Sequence, residues 1–249
     1  MNLFKYASPA TFYPLAGKMI PGFAIAAVLF AIVGLYVSFF VAPTDYQQSE
    51  AYRIMFIHVP AAWMSMWIYL IMACYAAAGL IWNTRLSAMM AISLAPTGAI
   101  FTVIALWTGS LWGKPMWGTW WIWDARLTSY LLLLFLYIGF IALHNSISDS
   151  RRAAKATGLL AIVGVVNLPI IYFSVQWWNT LHQGSSFSFG EDGTVEASMA
   201  TSMVWGLLLM TFAFWMYSIA VTLIRVRSEI LEREKESDWV EKMLSGQSQ

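Results

Sequence analysis

Six long apolar runs dominate this sequence, and each approaches the roughly 20 residues that a helix needs to cross a bilayer. They cover residues about 20–42, 59–82, 88–110, 128–145, 157–176 and 200–224. Hydrophobic residues make up 59% of the 249 positions and charged residues only 11%, which is typical of integral membrane proteins. Backbone in lipid must satisfy its own hydrogen bonds, and period-2 alternation is absent, so these runs predict helices. The predicted fold class is therefore an all-α integral membrane protein with six transmembrane helices.

The distribution of lysine and arginine predicts how these helices are oriented. One end of the bundle carries eleven of the fourteen basic residues: Lys5, Lys18, Arg85, Arg151, Arg152, Lys155, Arg225, Arg227, Arg233, Lys235 and Lys242. The other end carries Arg53, Lys114 and Arg126. The positive-inside rule then predicts that both termini are cytoplasmic in a bacterial inner membrane. The loops near 43–58, 111–127 and 177–199 are predicted to face the periplasm.

The sequence favours one membrane domain followed by a short tail. Residues 1–224 are predicted to form the six-helix domain, and 225–249 a cytoplasmic tail that extends the last helix into solvent. The N-terminal segment lacks a small-residue cleavage site after a short apolar core, which argues against a removable signal peptide. The net charge of +1 provides no basic field for nucleic acid, and no Gly-rich phosphate loop is present. The single cysteine, Cys74, is interpreted as a small buried hydrophobe.

A tryptophan-rich stretch, Trp112–Ser129, lies between the third and fourth runs and is called the tryptophan segment below. Five of the fourteen tryptophans fall within it: Trp112, Trp117, Trp120, Trp121 and Trp123. An interfacial aromatic belt is the ordinary explanation for such residues, but a belt spreads around the bundle. The i, i+3, i+4 spacing of positions 117, 120 and 121 predicts one helical face, a surface suited to a flat aromatic ligand. Asp124 is predicted to cap the fourth span.

Two histidines flank this segment at the same predicted end of the bundle. His58 precedes Val59-Pro60, which places it at the mouth of the second span, and His182 follows the fifth span. Two facing neutral imidazoles would fill both axial positions of a haem iron. Zinc is the rival metal, but this end offers no third histidine and only scattered carboxylates. His144 lies at the opposite end and is interpreted as structural.

Basic side chains near the two histidines are candidates for contacts with the ligand's acidic groups. Arg53, Arg126 and Lys114 are the three cations predicted outside. A haem carries two propionates that need cationic partners when desolvated. Arg126 and Arg53 are therefore predicted to belong to the haem site.

The motif WGTWWIWDARLTS, residues Trp117–Ser129, closely resembles the tryptophan signature (WWD motif) of the CcmC family, the haem exporter C proteins of cytochrome c maturation. The number of spans and the flanking histidines agree, so the resemblance covers the whole chain. It implies that His58 and His182 ligate haem b, a transient non-covalent cargo, beneath the tryptophans.

The resemblance also implies partners. A CcmC protein works in an ABC-transporter complex with CcmA, CcmB and CcmD in the membrane lipid and loads haem onto the chaperone CcmE. It is not an enzyme in the usual sense, since another subunit is the ATPase. The alternatives are a membrane b-type cytochrome that exchanges electrons with quinone, and a scaffold subunit that the tryptophans anchor.

Overall fold

The computed structural model describes residues 6–182, 184, 187–189 and 195–245. Its helices are α1 (Pro9–Tyr36), α2 (Met55–Trp82), α3 (Arg85–Trp117), α4 (Ala125–Ser146), α5 (Ser150–Gly164), α6 (Asn167–Trp177), α7 (Thr201–Glu234) and α8 (Asp238–Leu244). A π-helical turn, Val37–Val41, extends α1, and a 3-10 turn, Glu50–Ile54, leads into α2. Two three-residue strands, β1 (Phe187–Phe189) and β2 (Val195–Ala197), pair antiparallel.

Six helical stretches in the described chain are long and apolar enough to cross a membrane, which confirms the prediction of six spans. The predicted boundaries were too narrow. The first span begins at Pro9, and the third continues to Trp117. The hairpin of β1 and β2 was not predicted, because its strands are too short to leave a pattern of alternation.

The fifth span is two helices, whereas one was predicted. It is interrupted between Gly164 and Asn167, and the approach of Tyr69 explains why glycine stands there. A Cβ at Gly164 would lie 2.0 Å from the Tyr69 hydroxyl. On the other side of the break, the buried Asn167 amide donates to the Ser129 carbonyl at 2.9 Å, so the interruption is tied to α4.

The core of the bundle lies where α2, α3 and α4 meet, and α1 packs along α7. Tyr69, Tyr137 and Leu133 are fully buried there, and the Tyr137 hydroxyl donates to the Ser65 carbonyl at 2.7 Å. Gly98 permits this arrangement, since a Cβ at that position would lie 2.1 Å from the Tyr137 hydroxyl. Small residues allow such close approach between membrane helices, where lipid offers no hydrophobic drive for association.

The prediction of a helical tryptophan face is wrong. Trp112 and Trp117 lie on α3, which ends when Gly118 adopts a left-handed φ of 75° and donates its N–H to the Lys114 carbonyl at 3.1 Å. Glycine is favoured at this position because it has no Cβ to clash. The residues from 119 to 124 are not helical, so Trp120 and Trp121 do not lie on the helix that carries Trp117.

Two further expectations need correction. Cys74 is exposed on α2 rather than buried, so it faces outward from the bundle. The segment after residue 224 is not simply solvated, because α7 continues to Glu234 and buries Ile230 completely. In α8, Val240 is buried and Trp239 packs its ring 6.0 Å from that of Tyr13. The division into two domains at residue 224 stays a prediction.

Candidate functional site

His58 lies one turn inside α2, near the start of the second span, and Pro60 lies within the helix rather than in its first turn. Its imidazole packs against two features of α3. The Nδ1 atom is 3.1 Å from the Thr108 hydroxyl, and the ring meets the Trp112 indole edge-on with centroids 5.8 Å apart. Gly109 makes room for the ring, since a Cβ there would lie 2.9 Å from His58 Cε1. The position of this imidazole is therefore set by its packing on α3.

The Thr108 hydroxyl also decides which nitrogen of His58 carries the proton. Thr108 donates its own hydrogen to the Ile104 carbonyl at 2.6 Å, the usual back-bond of a threonine within a helix. Its oxygen is then the acceptor for His58, so the proton of the neutral ring sits on Nδ1. Nε2 keeps its lone pair, which is the tautomer that a metal-ligating histidine needs.

His182 lies beyond the end of α6, and the fold brings it opposite His58. The two ring centroids are 6.3 Å apart, and the ring planes differ by 32°. Two metal–nitrogen bonds of about 2 Å each, with half a ring added on either side, span a separation of this order. The separation of the two rings is therefore of the order at which two imidazoles could bind a single metal ion.

Arg126, in the first turn of α4, contacts the second imidazole. Its Nη1 lies 3.4 Å from His182 Nδ1, and a guanidinium can only donate. The Trp117 ring lies on another side of His182, with centroids 6.0 Å apart. A cation, an indole and two imidazoles thus lie together in the structure.

Two cavities adjoin the histidine pair, with volumes of about 70 Å³ and about 210 Å³. Five residues line both of them: His58, Trp112, Arg126, Tyr130 and His182. Ligand pockets usually measure about 300 Å³ or more. A ligand as large as a porphyrin therefore requires the side chains between the two cavities to move apart.

The remaining tryptophans of the segment lie nearer the surface. Trp120 is 53% exposed with the Lys114 ammonium 5.9 Å from its ring, and Trp123 is 74% exposed. Trp121 packs edge-on against Trp123 with centroids 5.4 Å apart. None of these three lines either cavity among the described residues. The segment is therefore divided into a buried part on α3 and an exposed part after it.

Asp124 caps α4 as predicted, since its Oδ1 accepts from the Leu127 N–H at 2.7 Å. Its other carboxylate oxygen, Oδ2, is buried without a hydrogen-bond partner, and so is the indole N–H of Trp121. Burying a polar atom without a partner costs about 1–3 kcal/mol. These two atoms are one acceptor and one donor that a ligand or a partner protein could satisfy.

Arg53 is not brought to the histidine pair. Its guanidinium pairs with Glu50 and donates to the Ser38 and Ala42 carbonyls at 2.5 and 3.2 Å, so it fastens the end of the first span. His144 lies at the other end of the bundle, where Arg233 donates to its Nε2 at 3.1 Å. Across the described ranges, no group of three His, Cys, Asp or Glu side chains is placed to hold a metal ion.

Comparison with known proteins shows the family of this chain. A family model described as Heme exporter protein C matches residues 2–241. The chain belongs to this family. It is 48% identical over 243 residues to Heme exporter protein C of Escherichia coli K12, which covers 98% of this chain and 96% of that protein. The protein of the same name from Haemophilus influenzae is 46% identical, over 96% of this chain and 95% of that protein. The one from Bradyrhizobium diazoefficiens is 45% identical, over 95% of this chain and 88% of that protein.

Several residues that shape this site were not identified from the sequence. Thr108 and Gly109 position His58, Tyr130 lines both cavities, and Gln48 accepts from the Trp112 indole at 2.9 Å. Thr108, Gly109 and Tyr130 lie within or beside apolar runs, where a polar or small residue looks like ordinary helix packing. The one available signal was the Thr-Gly pair in the last turns of the third run, opposite the predicted position of His58.

Proposed function

We propose that this chain holds haem between His58 and His182 and delivers it to a haem chaperone during maturation of c-type cytochromes. The observation that carries the proposal is the facing pair of imidazoles, 6.3 Å apart, on a site with a cation and an indole. Membership of the Heme exporter protein C family supports haem as the cargo. Two histidines are a common axial ligand set for haem iron.

The residues around the pair have complementary roles in this proposal. Thr108 holds His58 in the tautomer that leaves Nε2 for iron. Arg126, which contacts His182 when no cargo is present, turns to a propionate when haem enters, since a guanidinium binds a carboxylate with two parallel hydrogen bonds. Trp112 and Trp117 supply flat apolar surface beside the ring.

The exposed part of the tryptophan segment is the proposed docking surface for the chaperone. Trp120 and Trp123 are largely exposed, and the buried N–H of Trp121 and Oδ2 of Asp124 have no partner. Tryptophan is enriched at the energetically dominant positions of protein interfaces. Following the family resemblance, we assign the chaperone role to CcmE and assembly in the membrane to CcmA, CcmB and CcmD, with ATP hydrolysis in a separate subunit.

The histidine end is proposed to face the periplasm of a bacterial inner membrane. The support is the asymmetry of eleven basic residues at one end against three at the other. A haem-delivery site on this side would stand where the chaperone and the apocytochromes are found.

The test is to purify each variant together with its chaperone and to measure haem in the two polypeptides separately. Removal of either ligand histidine should reduce haem in both. Truncating Trp121 or Trp123 forfeits about 1–3 kcal/mol of aromatic burial at most, so these variants should keep haem but form less of the haem–chaperone adduct. The matched control is Trp107→Ala, because Trp107 is 66% exposed on α3 outside the tryptophan segment.

The outcomes separate the proposal from its rivals. If the Trp121 and Trp123 variants give the same adduct yield as the Trp107 control, the tryptophans act as a membrane anchor. If the purified protein is reduced by quinol at a catalytic rate, the chain is an electron carrier. If neither histidine variant changes haem in either polypeptide, the assignment of the haem site is wrong.

A further inference from the structure

A further cavity, of about 370 Å³ and lined partly by charged side chains, lies at the end of the bundle opposite the histidine pair. It is lined by residues of α2, α3, α4, α5 and α7, so it is a cleft between helices rather than a shallow depression in the surface. Four basic side chains lie at its wall: Arg85, Arg151, Lys155 and Arg233. Nothing in the proposed handling of haem makes use of this cavity.

The charges at this cavity do not cancel. Arg85 Nη1 lies 2.7 Å from Glu234 Oε1, so the two side chains form an ion pair, although their geometry is not that of a hydrogen bond. Arg233 forms an ion pair with Glu229. Arg151 and Lys155, one turn apart on α5, form no ion pair with any described residue. Among the described residues, Glu234 is the one carboxylate at the wall, so the cavity carries a net positive charge.

His144 adds a hydrogen-bond donor at the same wall. Because Arg233 donates to His144 Nε2 at 3.1 Å, the proton of the neutral imidazole sits on Nδ1. That Nδ1–H is buried and has no acceptor. The first turn of α5 also borders the cavity at Ser150 and Arg151, and the Asp149 carboxylate caps this turn by accepting from the Arg152 N–H at 2.7 Å. The imidazole N–H and the basic side chains of the wall favour an acceptor that carries negative charge.

The inner part of the cavity is apolar. Leu80 of α2, Ile92 of α3 and Phe140 of α4 contribute to its lining. A free inorganic anion would gain nothing from these side chains, whereas an amphiphile with a phosphate and an acyl chain would use both parts. Basic pockets between transmembrane helices bind anionic lipid headgroups in this way.

We propose that this cavity binds an anionic phospholipid, with its phosphate between Arg151 and Lys155 and the start of an acyl chain against Leu80 and Phe140. The bound lipid would hold α5 against α2 and α4 at the end of the bundle opposite the histidine pair. The lipid is a structural ligand that is distinct from the cargo at the histidine pair.

The test is native mass spectrometry of the purified full chain in neutral detergent micelles doped with phosphatidylglycerol, with phosphatidylcholine as the neutral comparison. The R151Q/K155Q variant removes both unpaired cations, each worth about fivefold in affinity near a membrane surface. Retention of phosphatidylglycerol should therefore fall about 20–30-fold. The matched control is R152Q, because Arg152 is an exposed neighbour on α5 that does not line the cavity.

A K155R variant should retain the lipid, which shows that charge rather than folding is responsible. Equal retention of phosphatidylglycerol by the parent, R151Q/K155Q and R152Q would overturn the proposal. Equal retention of phosphatidylglycerol and phosphatidylcholine would do the same. If inorganic phosphate displaces the lipid completely at comparable concentration, the cavity recognises a free anion and the lipid assignment is wrong.

Discussion

The hydroxyl of Thr108 offers the most specific test of how the haem site is built. It accepts the Nδ1 proton of His58 at 3.1 Å while donating to the Ile104 carbonyl at 2.6 Å. Thr108→Val keeps the branched shape and removes both interactions. The imidazole then loses the hydroxyl that holds its tautomer, and its Nδ1–H loses that acceptor.

The magnitude follows from two independent rules. Leaving a buried donor unsatisfied costs about 1–3 kcal/mol. Removing the hydrogen-bond partner of a metal-ligating histidine lowers metal affinity about 10–100-fold, which is equivalent to about 1.4–2.8 kcal/mol. The first cost falls on the folded protein with or without haem, whereas the second acts on haem affinity, so Thr108→Val should weaken haem binding by about one to two powers of ten.

The assay is a haem titration of the purified protein followed by the Soret band. Thr108→Ser keeps the hydroxyl and should bind haem nearly as the parent does. Thr102→Val is the matched control, because Thr102 lies on α3, is fully buried and makes the same back-bond, to the Gly98 carbonyl at 2.8 Å. Equal affinities for the parent and Thr108→Val, or an equal loss in Thr102→Val, would refute the role of the hydroxyl in holding His58.

Three further predictions concern packing and orientation. Gly109→Ala places a Cβ 2.9 Å from Cε1 of His58, the proposed ligand, and should lower haem affinity about tenfold in the same titration. Gly98→Ala should cost about 1–3 kcal/mol of stability by overpacking the core, seen as a lower thermal midpoint, whereas Gly22→Ala meets nothing within 4 Å and should not. With the native cysteine removed, a membrane-impermeant maleimide applied to intact spheroplasts should label Tyr46→Cys but not Leu244→Cys, and the reverse pattern would invert the proposed orientation.

The fold was predictable from the sequence where one physical signal dominates. Runs of about 20 apolar residues have few alternatives to membrane helices, so all six spans were found. The Asp124 cap was found because a carboxylate before an apolar run has a well-defined role. The breaks and extensions were not found, because they involve contacts between helices: at the interruption of the fifth span, Gly164 leaves room for Tyr69 and Asn167 bonds to α4.

The main candidate residues of the site could be identified from the sequence, but the residues that position them could not. His58, His182 and Arg126 were identified because charged or imidazole side chains are rare in this chain, and the structure brings them together. Arg53 lies away from the histidine pair, because it pairs with Glu50 and donates to two backbone carbonyls that no sequence pattern reveals. Thr108 was missed for the same reason: a hydroxyl in an apolar helix usually bonds to its own backbone.

The central claim is that two histidines hold haem from opposite sides, and absorption spectra of the purified protein with added haem test it most directly. The parent and His144→Ala should share the Soret and visible bands of iron with two imidazole ligands. His58→Ala and His182→Ala should each retain less haem with altered bands, and added imidazole should partly restore both by filling the empty position. If all three histidine variants kept the bands of the parent without imidazole, neither His58 nor His182 would be a ligand.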